Sequence, residues 1–232
     1  MALQGTVLNA PAGIKGFDAN AVISASVARQ FVDAGYNFCV RYVGRTQMAS
    51  HDLTAAEAQT LLGAGLALMP VQHVEAGEWA ASGSLGAEYG ANAAQFVSAI
   101  GFPPGVNVWL DLESVSTSSA AADVMAYCNN WYDAVAGAGY TPGIYVGWQP
   151  MLTNGQLYSA LKFKQYWGAY NVDAVIPQRG WVMKQTPAHT QVAGIDHDDN
   201  FTHVDGLGGQ VTWLAPAGQS ASIFGTPAPA QG

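Results

Sequence analysis

The chain has 232 residues, half of them hydrophobic and only 10% charged, with 27 glycines and a net charge of −8. That length suits one large domain, and eight Lys and Arg without a basic run exclude nucleic acid or an anionic membrane surface as a partner. No apolar run reaches membrane-spanning length; the longest, around residues 61–71, is broken by Gly63, Gly65 and Pro70.

The start, Met1-Ala2-Leu3-Gln4-Gly5, lacks a charged segment followed by an apolar one, so an extracytoplasmic location would require export without a visible signal peptide. Residues 14–18 read as a first strand ending in Gly16-Phe17-Asp18, followed by a helical pattern over 21–34 that Gly35 ends. The second strand, 36–43, puts Cys39 and Arg41 on one face and Phe38, Val40 and Tyr42 on the other. Thr54, with Glu57 three residues later, forms a capping-box signature opening a helix to about residue 62. The third strand, 66–73, ends in the polar pair Gln72 and His73. A longer loop, 74–86, precedes a helix over 87–100, and the turn Phe102-Pro103-Pro104-Gly105 leads into a fourth strand, 106–113. A helix over 120–136, a strand at 143–147 and a short helix at 152–161 come next. Strands at 163–170, 181–185 and 192–196 complete the pattern, and residues 216–232 read as a Gly/Pro/Ala/Ser-rich tail after a domain over 1–215. Cys39 and Cys128, on a strand and a helix, read as buried thiols.

Strands alternating with helices argue for a parallel sheet, and eight of them argue for closure into a (β/α)8 TIM barrel. No Gly-x-Gly-x-x-Gly turn follows the first strand, so a dinucleotide-binding doubly wound sheet lacks support. In such a barrel the active face lies at the carboxyl ends of the strands. Asp18, Arg41, Gln72, His73, Asp111, Glu113, Gln185, Asp196 and Asp198 fall there, a notable share of the polar residues in so apolar a chain. Asp111 and Glu113 carry the sharpest signal. Two residues apart on a strand, they project from one face with Cα atoms roughly 6–7 Å apart. Like charges so placed repel, which suits a site where one carboxyl keeps its proton while the other ionises. Trp79, Trp148, Trp167 and Tyr170 gather at the same face, and two of the four are expected to meet a ligand, since aromatic rings stack on the apolar faces of sugars.

Several motifs occur in order: Gly16-Phe17-Asp18, Trp109-Leu110-Asp111-Leu112-Glu113, Pro142-Gly143-Ile144-Tyr145, Tyr166-Trp167-Gly168-Ala169-Tyr170, Lys184-Gln185-Thr186, and Val192 through Phe201. The set resembles the family-25 glycoside hydrolases, which are peptidoglycan muramidases, and more closely their relatives, the glycoside-hydrolase-like barrel domains. The resemblance spans about residues 14–203. It implies Glu113 as general acid, Asp111 as its partner, Asp18 as the acid of the first strand and Asp198 as the acid of the closing Asp-x-Asn motif. Trp167, Tyr170 and Gln185 resemble residues lining the sugar groove. The second strand departs: a Lys-Ala-Thr-Glu-Gly-like stretch is usual, and Val40-Arg41-Tyr42-Val43-Gly44-Arg45 stands here.

The expected activity is hydrolysis of peptidoglycan or another polysaccharide by carboxylate acid/base catalysis. Glu113, Asp111, Asp18 and Asp198 would act on a substrate held by Arg41, Gln72, Trp148, Trp167, Tyr170, Gln185 and Asp196. No cofactor or metal is expected, and the chain is expected to be a monomer. A carbohydrate-binding module with a degenerate site, favoured by Arg41, is one alternative. A metal-dependent hydrolase or phosphodiesterase using Asp196, His197, Asp198, Asp199 and His73 is the other.

Overall fold

The computed structural model describes residues 2–172, 174–188 and 191–219. Ten strands form one sheet, and eight of them close on themselves. These are β2 (Lys15–Ala19), β3 (Phe38–Val43), β4 (Ala67–Gln72), β5 (Asn107–Leu112), β6 (Thr141–Val146), β7 (Gln165–Gly168), β8 (Met183–Pro187) and β9 (Asp198–Thr202). Pairing runs in parallel from β2 through β8, β4–β5 included, and β9 bridges β8 to β2 to complete the ring. The barrel expected from the sequence is present.

The eighth strand differs from expectation in place and direction. Residues 192–196 do not form it; β9 does, and it runs antiparallel to both β2 and β8. Two further strands, β1 (Gly5–Asn9) and β10 (Thr212–Pro216), pair antiparallel, and β10 touches β4 at Leu68. They were invisible as barrel strands because they lie outside the alternation. Ala10, Val211 and Trp213 enter the barrel's own apolar cluster beside Phe38 and Ala67, which begin β3 and β4. The β1–β10 pair therefore closes the amino-terminal end of the barrel. The proposed tail begins inside β10 at Pro216, and from residue 220 it lies outside the described residues.

Period-two alternation divides the strands between two cores. Phe38, Val40, Met69, Val71, Trp109, Trp167 and Met183 fill the barrel, whereas Cys39, Val43, Leu68, Val108 and Leu110 face the helices. Both cysteines are free and fully buried. The outer layer is α1 (Ala25–Asp33), α2 (Ala55–Ala64), α3 (Gly83–Ile100), α4 (Ala121–Gly137) and α5 (Asn154–Ser159). Gly86 sets the α3–α4 packing, since a Cβ there would overlap the backbone of Tyr127. No described helix is long and apolar enough to cross a membrane.

Candidate active site

Inward-facing residues at the carboxyl ends of β2 and β5 are Asp18 and Asp111. Because β9 is reversed, its first residue reaches the same rim: Asp198 pairs across β2 with Asp18. Glu113 follows β5 immediately and is half-buried. Two parallel strands and one reversed strand thus bring four acids to one mouth.

Asp18 is buried and accepts two hydrogen bonds at Oδ2, from Asn200 Nδ2 at 2.7 Å and Gln185 Nε2 at 3.0 Å. The orientation of the Asn200 amide follows from its other partner. The Trp167 indole N–H can only donate, and it does so to Asn200 Oδ1 at 2.8 Å, so the Asn200 NH2 must face Asp18. Tyr145 likewise donates its hydroxyl to Gln185 Oε1 at 2.9 Å. Burial raises the Asp18 carboxyl to about 7, with smaller upward pushes from the Asp198 and Glu113 charges; the two amides work against that rise.

Asp111 lies deeper, and burial, then the charges of Glu113 and Asp18, hold its carboxyl well above the usual range. Its Oδ1 is buried and has no hydrogen-bond partner among the described residues, which favours the neutral form. Burial also raises Glu113, opposed by the Trp148 backbone N–H, and raises Asp198, with Asp196 adding to it. The cluster retains protons that free carboxyls would have lost at the same pH.

Glu113 is held by a network of loops. Trp79 Nε1 donates to the Glu113 carbonyl at 2.8 Å, Glu78 N to Ser114 O at 2.9 Å, and Ser114 N to Trp148 O at 2.7 Å. Glu78, Ser114, Gln149 and Met151 all adopt positive φ, between 53° and 62°, which costs energy in residues with a side chain. Gly147 lies against the acid itself, where a Cβ would overlap the Glu113 carboxylate. Strain concentrated around one carboxyl marks a position fixed by the surrounding structure.

The aromatic residues separate as half in and half out. Trp148 and Tyr170 are about half exposed, at 55% and 48%, on the loops after β6 and β7. Trp79 and Trp167 are buried; Trp167 packs edge-on to Trp109 and Tyr145 inside the barrel, so it supports Asn200 and does not line a groove. Asp196 is exposed and, with Asp18, Asn20, Tyr42 and Asp198, lines a hollow of about 180 Å³.

Arg41 and Gln72 are not at this mouth. Each sits on the outward face of its strand, beneath the helices. Arg41 is fully buried and forks onto Glu57 of α2 at 2.9 and 3.3 Å, while donating to the carbonyls of Ala19 and His51. Thr54 caps α2 as expected, but Glu57 is drawn to Arg41 and to the backbone N–H of Ile23, so the reciprocal half of the capping box is absent. Gln72 ties β4 to the helical layer through Gly44 O, Tyr89 O and Trp131 Nε1. The alternation on β3 is as the sequence predicts, but the row that contains Arg41 turns outward, which the sequence leaves open because both rows contain large apolar residues. Tyr42 and Tyr145, which sequence reasoning did not place in the site, take the inner positions.

The acid run 196–199 does not converge on an ion. Asp198 faces the mouth, whereas Asp199 points outward to the Tyr36 hydroxyl at 2.6 Å and Lys15 at 3.4 Å. His197 is buried against Phe17, Phe31 and Tyr36.

The family model described as "Rv2525c-like, glycoside hydrolase-like domain" matches residues 29–207. The chain belongs to this family. Among solved structures, the Tat-secreted protein Rv2525c of Mycobacterium tuberculosis, in complex with L-tartrate, is 18% identical with a TM-score of 0.63, over 82% of this chain and 96% of that one. A bacterial lysozyme from Streptomyces coelicolor is 16% identical with a TM-score of 0.57, over 82% and 92%. The catalytic domain of endolysin ply40 from bacteriophage P40 of Listeria monocytogenes is 19% identical with a TM-score of 0.56, over 82% and 93%. At these identities the likeness establishes a shared fold. Among curated proteins, none matches by sequence. The Rv2525c-like match takes in Asp111, Glu113 and Asp198 and begins after Asp18, which the barrel nonetheless brings to the same rim.

Proposed function

We propose that this glycoside hydrolase-like domain cleaves glycosidic bonds in peptidoglycan or a related polysaccharide, with Glu113 as general acid. The observation that carries the reading is the crowding of Asp18, Asp111, Glu113 and Asp198 at one end of the barrel, where burial keeps carboxyl groups protonated. A glycosidase needs one carboxyl that gives a proton to the leaving oxygen and another that is ionised near the anomeric carbon. Glu113 is half-buried just beyond the end of β5, with a raised pKa suited to proton delivery. Asp18 accepts from two amide donors, which favour its carboxylate against the burial that raises it, and in its ionised form it would stabilise the positive charge that develops on the sugar. Asp198 lines the hollow beside Asp18 and would orient the attacking water. Trp148 and Tyr170, on the loops after the neighbouring strands β6 and β7, offer exposed rings for sugar stacking.

An extracytoplasmic setting fits a polysaccharide substrate, and the M. tuberculosis relative is described as Tat-secreted. The binding-only alternative drew its support from Arg41, and that support falls away because Arg41 points out of the barrel. The test is a turnover screen on purified peptidoglycan and other polysaccharides with the wild type and Glu113→Gln. Gln retains shape and hydrogen bonding but has no proton to transfer, so turnover is expected to fall by about 10²-fold or more with binding nearly unchanged. Hydrolysis by the variant at the wild-type rate would place the acid elsewhere. Glycan binding without turnover by the wild type would favour a binding module.

A further inference from the structure

Beside the carboxylate groove, on the loops after β3 and β4, lies a second and larger hollow of about 360 Å³, lined in part by Asn20, Arg45, His51, Asp52 and His73. Among the described residues, His51, Asp52 and His73 are the one group of three ligating side chains close enough to share an ion, with one atom of each within 4.8 Å of the others. His73 Nε2 is 2.7 Å from Asp52 Oδ1, and His51 Nε2 is 3.9 Å from the same oxygen. We propose that these three side chains form a binding site for a divalent transition-metal ion of the zinc class, separate from the carboxylate cluster.

Two imidazoles and one carboxylate are the donor set that zinc favours, and they discriminate against magnesium and calcium, which prefer oxygen alone. Tetrahedral zinc with bonds of 2.0–2.1 Å spaces its ligand atoms roughly 3.3 Å apart. The observed separations bracket that value. Closing the gap requires a small opening of the His73–Asp52 hydrogen bond and an inward swing of His51, whose side chain is 48% exposed and free to turn.

The rest of the site is set in place beforehand. Asp52 is buried and its Oδ2 accepts from Ala49 N at 2.6 Å, leaving Oδ1 to face both imidazoles. The His73 ring stacks on Tyr42 at 4.7 Å, and the His51 carbonyl is held by Arg41 at 2.8 Å. Arg45, which lines the hollow, is paired with Glu75 at 3.1 Å, and Arg41 with Glu57 at 2.9 Å. An entering ion would take the place of the His73 Nε2–Asp52 Oδ1 hydrogen bond. Three protein ligands leave a fourth position open to the hollow, and Asn20 lines both this hollow and the one at Asp18. The ion would therefore take its fourth ligand from water or from an oxygen of a molecule lying toward the groove.

The test is titration of the tag-free chain with zinc by calorimetry and with cobalt by visible absorption, alongside His51→Ala, His73→Gln and, as a control, Asp198→Asn. One equivalent of zinc, tetrahedral cobalt bands, and at least about a tenfold loss of affinity in each histidine variant but not in Asp198→Asn are expected. His51→Ala removes an exposed side chain, so its folding serves as the reference for the more buried His73 variant. Failure of the wild type to bind zinc, binding that survives both histidine substitutions, or binding abolished by Asp198→Asn alone would overturn the proposal. None of these readouts depends on glycan hydrolysis.

Discussion

At the scale of single residues, Asp18 couples the site to stability. Its carboxyl loses a proton near 3.8 in the unfolded chain and near 7 in the folded one, because burial opposes the charge. Between those values the folded state keeps a proton that the unfolded state has released. The stabilising contribution is complete below about pH 4 and is lost as pH rises through 7, on the order of 4 kcal/mol across the window. Asp18→Asn cannot ionise, so urea midpoints measured from pH 4 to 8 should show a flatter decline than the wild type; an unchanged slope would mean that Asp18 is not the buried acid described. Asn200→Ala acts in the opposite sense to a rescue. It removes one of the two amide donors that favour the carboxylate, so the Asp18 titration followed by NMR should move further upward. Gly147→Ala tests the grip on Glu113. The added methyl group meets the carboxylate, and turnover on any confirmed glycan should drop while Tm changes little.

At the scale of elements, β3 shows how a correct pattern can yield a misplaced residue. Arg41 lies on the helix-facing row, where α2 supplies Glu57 as its partner. Removing one member of a buried pair leaves the other charge uncompensated, so Arg41→Ala should cost about 3–5 kcal/mol in chemical denaturation. Glycan affinity per folded molecule should remain as in the wild type, and a selective loss of affinity would return Arg41 to the site. Most of the barrel was legible because its strands alternate with helices and end in polar residues, as Asp18, Asp111 and Gln185 do. What was not legible depended on partners distant in sequence. Nothing in residues 192–202 states that the chain reverses there, and a reversed strand contributes its first residue, not its last, to the active rim. β1 and β10 are each five residues long and acquire meaning only by pairing with each other. Trp167 was assigned to the groove by resemblance, whereas its indole is spent on Asn200.

At the scale of the whole molecule, the charge distribution should govern which glycans approach. The net charge is −8, and Asp18, Asp111, Glu113, Asp196 and Asp198 lie at one end while Arg41 points away from it. Such a field repels polyanions at low ionic strength. Chitin-like chains should therefore bind more tightly than teichoic acid or hyaluronan in low salt, and the difference should shrink as salt is added. Tighter binding of either polyanion in low salt would contradict this. The β1–β10 pair adds a geometrical consequence. It clasps both arms of the fold at the end of the barrel opposite the carboxylates, with Gly5 beside Pro216. A linker, anchor or second module joined before β1 or after β10 would leave from that rear face. A tethered molecule would then present its groove outward like a cup held by its base, free to meet a large insoluble polymer whichever arm carried the tether.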